Sequence, residues 1–439
     1  MISTQSLYER YKKHPHVYID TRTMQPGGIF FGLKGERFDG GAFAAEALRK
    51  GAAYAVVDNP DHATNDKILL TTNALQALQD LARHHRRQFS IPVIAIGGSN
   101  GKTTTKELVA AVLSMRYSCH STPGNFNNHI GVPLTLLAMP SNAEVAIVEM
   151  GANRLGDMTE LCNIAEPTHG LLTNIGKEHL EGFGDIEGVK KGEGELYNYL
   201  DERKGMIFVN TSEKHLNRMC NQIKRKIIYR KAEYLHHNSN VIDVQLREYV
   251  PYVSVDFLSD FNLRVNVKSK LSGIHNFHNI MTAVALGIYF KIPADDIKAA
   301  IERYEPLPNR SQWIDYGSNR ILLDAYNSNP SSALSAIKNL VAMPHEGKQL
   351  AILGDMLELG EKSQKEHEFL LRRIRQLSSK LHLALIGPEF GRCKDTKKTT
   401  LYFPNVEEAK VWFDKQHFTD THILIKGSRA MRLEKLLDL

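Results

Sequence analysis

Cysteine is scarce and scattered in this sequence. The 439 residues hold four, Cys119, Cys162, Cys220 and Cys393, and no two form a C-x-x-C pair. That excludes a disulfide scaffold and a zinc ribbon. No apolar run approaches the roughly 20 residues that a membrane-spanning helix needs. Met1 to His16 is polar, with no apolar core segment, so neither membrane insertion nor a secretory signal is expected and the chain reads as cytoplasmic. Internal repeats and low-complexity tracts are missing, which sets aside solenoids and disordered tails. A strong charge of one sign is missing too: 55 basic residues face 49 acidic ones, for a net +6. The basic clusters, such as Arg83-His84-His85-Arg86-Arg87 and Lys224-Arg225-Lys226, are short. No nucleic-acid partner is therefore expected, while the mild excess suits small anionic substrates.

With 42% hydrophobic and 24% charged residues, the composition is that of an ordinary globular protein, and the length suggests three domains. Strand-like apolar runs alternate with helical patterns, which predicts an α/β fold. To about Ser90 the strands are short (Ile29-Phe30-Phe31, Ala55-Val56-Val57) and flank a helix from Gly41 to Lys50. A second stretch opens with Val93-Ile94-Ala95-Ile96, followed by glycines and a helix from Lys102 whose Leu108, Val109, Val112 and Leu113 share one face. Further strands fall at Val145–Val148 and Gly170–Thr173. Alternating polar and apolar residues over 229–270 predict an antiparallel hairpin region. The pattern breaks at Pro306-Leu307-Pro308, a linker, after which strands at 321–323, 350–353, 383–386 and 422–425 predict a smaller doubly wound sheet. The expected boundaries are 1–90 for a small α/β domain, 91–304 for a central parallel-sheet domain with a phosphate loop, and 305–439 for a Rossmann-like domain.

The strongest chemical signal is Gly97-Gly98-Ser99-Asn100-Gly101-Lys102-Thr103-Thr104-Thr105. A strand, a glycine turn and a helix N-terminus make a phosphate cradle, in which Lys102 neutralises charge and Thr103 can ligate Mg²⁺. The spacing departs from G-x-x-x-x-G-K-T, because Ile96 stands where the first glycine would be. Glu149 and His179 follow predicted parallel strands, so both can face the phosphates; taken singly, each would read as a surface or capping residue.

The run Gly98–Glu107 resembles the ATP loop of the Mur ligases, and also that of folylpolyglutamate synthases. Mur-like segments extend over nearly the whole chain. They are Thr122–Pro133, Glu149-Met150-Gly151-Ala152, His179–Gly184, Asp324–Pro330, Leu353–Gly360 and Lys426-Gly427-Ser428-Arg429. Asp20-Thr21-Arg22 with Pro26–Gly35 resembles the family's nucleotide-sugar domain, which folylpolyglutamate synthases do not have. The resemblance implies an ATP- and Mg²⁺-dependent ligase for cell-wall precursor synthesis. Its joined substrates would be UDP-N-acetylmuramoyl-tripeptide and D-alanyl-D-alanine, its intermediate an acyl phosphate, and its state a monomer whose domains close for chemistry. The alternatives are a folylpolyglutamate synthase-like ligase, a phosphate-loop ATPase of another class, and a non-catalytic relative.

The same resemblance implies the site. Gly98, Ser99, Asn100, Gly101, Lys102, Thr103 and Thr104 would cradle ATP, with Asn276 at the adenine and Arg310 and Asp324 reaching the nucleotide. Without the family context, Asn276 would read as a helix cap and the other two as surface partners. Thr103, Glu149 and His179 would hold Mg²⁺. Thr21, Arg22, Lys34 and Gly35 would meet the UDP-sugar, and Asn125 and Asn128 the growing substrate. Tyr326, Asn327 and Asn329 would lie near the incoming amine, and Lys426, Ser428 and Arg429 near the dipeptide carboxylate or the phosphate. One position departs. Much of the family has a lysine, carbamylated by carbon dioxide, two residues before the glutamate of K-x-E-[IL]-[FY]; here Glu193 stands there. Glu193 is expected to supply the carbamate's charge to a second Mg²⁺ through a water. Otherwise it is a solvated helix residue, and Lys190 or Lys191 takes the role in a shifted register.

Overall fold

The computed structural model describes all residues except 36–37, 239, 346, 394–398 and 439. Three large sheets follow one another along the chain, and a two-stranded antiparallel ribbon, Lys34–Gly35 with Phe38–Asp39, accompanies the first. The first has four parallel strands, Val17–Tyr18, Ile29–Phe31, Tyr54–Val57 and Ile68–Leu70. Helix Ala74–Arg86 leads from it into the second sheet. Asn73 caps that helix by accepting the Gln76 N–H, and the buried Leu78, Leu81 and Ala82 line one face at helical spacing.

The central sheet has nine strands, seven of them parallel from Cys119–Ser121 at one edge to Val241–Glu248. Strands Val93–Gly97 and Val145–Glu149 are buried at every residue, as a sheet covered on both faces requires. Val93–Gly97 is flanked by Val145–Glu149 on one side and His169–Leu172 on the other. The strand order reverses there, so a crevice opens beyond the carboxyl ends of these three strands, which is where open α/β sheets bind ligands.

The hairpin expected over 229–270 is only partly present. Val241–Glu248, Ser254–Leu258 and Arg264–Lys268 form an antiparallel meander, but Lys226–Lys231 pairs in parallel with Val241–Glu248. Alternation reports a strand with two unlike faces and carries no information on direction, hence the miss. The third sheet has six strands, all parallel except the edge strand Gln312–Tyr316, and helices Pro330–Ala342 and Ser363–Leu377 cover it.

At the opposite end of the central sheet, the half-buried His169 hydrogen-bonds Thr168 and Tyr289. Burial, helped by nearby Arg225, pushes its pKa down to about 4. An unfolded histidine titrates near 6.5, so between these values the unfolded chain holds the extra proton. Stability is intact above that window and falls as pH drops through it, by up to about 3 kcal/mol. In acid unfolding followed by circular dichroism, His169→Gln should flatten the slope of stability against pH by one proton. An unchanged slope would contradict this.

Candidate active site

The phosphate loop occupies the crevice. Gly98 has φ +107°, and a Cβ there would lie 2.4 Å from the Thr173 hydroxyl and 2.6 Å from its backbone nitrogen, so only glycine fits. Gly101, at φ +80°, caps helix Lys102–Leu113 and would press a Cβ against Asn279. The loop's first two N–H groups are used inside the protein. Gly98 donates to Glu193 Oε2 at 2.7 Å and Ser99 to the Asn174 carbonyl at 2.9 Å. Anion binding therefore falls to the N–H groups from Asn100 onward, where the helix leaves its first donors unpaired.

Lys102 curls over the loop, donating to the Gly98 carbonyl, with Glu178 Oε2 3.7 Å from its Nζ. Burial opposes its charge, but Glu178, Glu193 and Glu149 outweigh burial and raise its pKa, so it stays cationic. Glu149, at the end of its strand, accepts from the Thr103 hydroxyl at 3.1 Å and from Asn127 Nδ2 at 2.8 Å on one oxygen. Its other oxygen is buried and accepts no hydrogen bond, as is true of one oxygen each on Glu178 and Glu193.

The orphaned oxygens of Glu149 and Glu178 beside the phosphate loop are the condition a divalent cation relieves, and hard oxygen donors suit Mg²⁺. No group of three metal-binding His, Cys, Asp or Glu side chains exists among the described residues. His179, at φ 41°, turns its Nδ1 to Glu358 of the third sheet's domain at 2.8 Å.

Glu193 does not line the cleft. It lies fully buried behind the loop, and burial, then the nearby Glu178, push its carboxyl up to about 8 despite Lys102. It holds the loop through Gly98, which replaces the expected water-mediated role and also removes the solvated-helix alternative. Lys190 pairs with Glu187 and Lys191 is exposed, so neither occupies this place.

The cleft, about 660 Å³, runs between the central and third domains. It gathers the expected Ser99, Asn100, Gly101, Lys102, Thr103, Thr104, Asn125, Asn128, Glu149, His179, Asn276, Arg310, Asp324, Tyr326, Asn327 and Lys426. Asn276 sits inside helix Ile274–Tyr289 rather than at its cap, and its amide is tied to Ser272 and Asn279. Arg310 stacks on the Tyr326 ring at 3.7 Å. Asp324 pairs with Lys426 at 2.7 Å. Burial works against its charge but Lys426 prevails, and its pKa is lowered.

Three residues expected to contact substrate have other partners in the structure. Asn329 caps helix Pro330–Ala342 and donates to Asn100 Oδ1 at 2.8 Å, fastening the two domains together. The buried Ser428 hydroxyl accepts from Leu357 N–H, and Arg429 pairs with Glu434. None of the three lines the cleft. Thr21, Arg22 and Lys34 stand in the first domain beside Glu46, Asp20 and Asp58, and Gly35 pairs with Phe38; these four also lie outside it.

Residues that the motif reading passed over complete the cleft. Asn127 lies within the quoted Thr122–Pro133 segment, and Glu178 and His278 stand one and two residues from His179 and Asn276, so all three could have been found there, whereas Asn210 carries no local signal. His278 bonds Asn210 at 3.1 Å, and burial holds its imidazole neutral by pushing the pKa down to about 4.

A phosphate loop, a carboxylate set suited to Mg²⁺ and a second domain supplying lysine and arginine across the cleft define an ATP-dependent ligase. Residues 15–91, 96–287 and 309–429 match, in turn, the descriptions "Mur ligase family, catalytic domain", "Mur ligase middle domain" and "Mur ligase, glutamate ligase domain". The chain belongs to the Mur ligase family. It is 35% identical over 355 residues to the UDP-N-acetylmuramoyl-tripeptide–D-alanyl-D-alanine ligase of Bacillus subtilis, covering 80% of this chain and 76% of that protein. It is 31% identical over 440 residues to the ligase of the same name from Escherichia coli, covering 96% and 92%. Among solved structures it resembles MurF ligase from Thermotoga maritima in complex with ADP, with TM-score 0.83, 27% identity and 96% of both chains covered. It likewise resembles MurF from Acinetobacter baumannii, with TM-score 0.85, 27% identity, and 96% and 92% covered. No helix among the described residues is long and apolar enough to cross a membrane.

Proposed function

We propose that this enzyme joins D-alanyl-D-alanine to UDP-N-acetylmuramoyl-tripeptide at the expense of ATP, acting as a cytoplasmic monomer. The observation that carries the reading is the single cleft in which the loop, Glu149 and Lys102 of one domain face Arg310, Asp324 and Lys426 of the other. The tripeptide carboxylate attacks the γ-phosphorus of ATP and ADP leaves. The dipeptide amine then attacks the acyl phosphate, loses a proton, and the tetrahedral intermediate collapses to amide and phosphate.

The first step brings two anions together, so fixed positive charge at the transferring group is what the protein must supply. Lys102 and the helix N–H groups provide it from below, and Arg310 and Lys426 from the third domain. Thr103 and Glu149 would hold Mg²⁺, which would supply neutralisation of phosphate charge. Asp324, kept ionised by Lys426, is a ribose hydroxyl acceptor, and the neutral His278 with Asn276 and Asn210 suits an uncharged base. The first domain's Thr21, Arg22, Lys34 and Gly35 serve the UDP-sugar, and Asn125 and Asn128 the tripeptide.

ATP-derived phosphate should appear with the UDP-tripeptide and D-alanyl-D-alanine together, and not with the dipeptide alone, with folate plus glutamate, or with single-stranded DNA. Robust hydrolysis stimulated by DNA and indifferent to the UDP-tripeptide would overturn the reading.

A further inference from the structure

The segment Asp355–Leu359 of the third domain is tied down from behind. Asp355 accepts N–H bonds from Glu389 and Phe390, Met356 N–H donates to His367 Nε2 at 3.0 Å, and Leu357 N–H donates to Ser428. Glu358 alone projects across the domain boundary. Its backbone is left-handed, at φ 62°, an uncommon conformation for a glutamate and one found where surrounding structure dictates it. Its carboxylate lies 2.8 Å from His179 Nδ1, and its carbonyl accepts from Glu181 N–H. A carboxylate only accepts, so Nδ1 carries the proton in this pair.

The consequence falls on the other ring nitrogen. A cation can bind at Nε2 only when the ring's proton sits on Nδ1, where Glu358 accepts it, and Nε2 stands 3.9 Å from Glu178 Oε2. Glu178 is 3% exposed, lines the cleft, and has its second oxygen without a partner. Glu178 Oε2 is shared with Lys102 Nζ at 3.7 Å, which leaves the unpartnered Oε1 and the imidazole Nε2 as the donors open to a further cation. A carboxylate on the far nitrogen of a ligating histidine fixes its tautomer and ring direction.

We infer that Glu358 is a positioning residue that holds the Nδ1 proton of His179, so that Nε2 and Glu178 together take a divalent cation bridging to nucleotide phosphate. Because Glu358 comes from the third domain, this half-site is complete only when the domains are closed as they are here. Lys177 pairing with Glu366, and Lys362 reaching the Gly184 carbonyl, join the same two segments. Cation affinity and closure are thereby coupled, and a closed, dipeptide-bearing enzyme holds its metal more tightly than an open one. The inference rests on the ligase reading for its nucleotide but not for its acid and amine substrates.

The test is Mn²⁺ titration of the full-length protein with a non-hydrolysable ATP analogue, read by electron paramagnetic resonance beside the Mg²⁺ dependence of turnover. Glu358→Ala should weaken Mn²⁺ binding at the His179 site at least tenfold, the effect usual for a partner of a metal ligand. It should raise the half-saturating Mg²⁺ in parallel and leave KM for the UDP-tripeptide in place. Glu358→Gln, whose amide oxygen still accepts from Nδ1–H, should recover most of the affinity. Unchanged Mn²⁺ binding in Glu358→Ala, or a Gln variant as impaired as the Ala variant, would overturn the inference. Mn²⁺ binding needs no acid or amine substrate, so a failure of the ligase assignment would leave this result standing.

Discussion

Lys102→Ala should lower turnover at saturating ATP by at least about a hundredfold, which corresponds to the roughly 3 kcal/mol that a cation aimed at a developing phosphoryl charge contributes. The structure adds a reason beyond the phosphate. Lys102 is the buried cation among Glu178, Glu193 and Glu149, and its own raised pKa is the mark of that set. Removing it leaves the buried Glu149 and Glu178 without the cation that sits between them and the phosphates. Lys102→Met, which keeps the length of the side chain, separates loss of charge from loss of packing. Turnover near that of the parent in either variant would remove Lys102 from the chemistry.

Glu193 should separate position from charge. In Glu193→Ala the Gly98 N–H loses its acceptor inside a buried loop, at a cost of about 1–3 kcal/mol. Expressed in the transition state, that is roughly a ten- to hundredfold loss of turnover. In Glu193→Gln the side-chain oxygen still accepts from Gly98. The parent carboxyl, pushed up to about 8 by burial and by Glu178, is already largely protonated at neutral pH. The Gln variant should accordingly stay within about threefold of the parent, and neither protein should respond to bicarbonate. Collapse of parent activity in carbon dioxide-free buffer, restored by bicarbonate, would point to a carbamylated lysine after all. A Gln variant as poor as the Ala variant would show that the negative charge itself is required.

The sequence alone determined what depends on neighbours along the chain. A strand, a glycine turn and a helix N-terminus within ten residues make a phosphate cradle wherever they occur, so the loop from Gly98 to Thr104 was legible, as was the alternation of strands and helices that makes the protein α/β. Glu149 and His179 were legible because they follow strands of a parallel sheet, whose carboxyl ends share one crevice. The tertiary structure decided everything that turns on which segments meet. Glu178 and Glu193, fifteen residues apart, converge on Lys102 from a strand-following loop and from helix Ile186–Glu202, and no local pattern encodes that meeting. Asn329 looked like a substrate contact from its motif, yet its backbone position at the start of a helix gave its amide a capping task, and a second domain supplied Asn100 as its other partner. The direction of Lys226–Lys231 against Val241–Glu248 was undecided for the same reason: side-chain alternation describes one strand's two faces, whereas pairing direction is a property of two strands and the space between them.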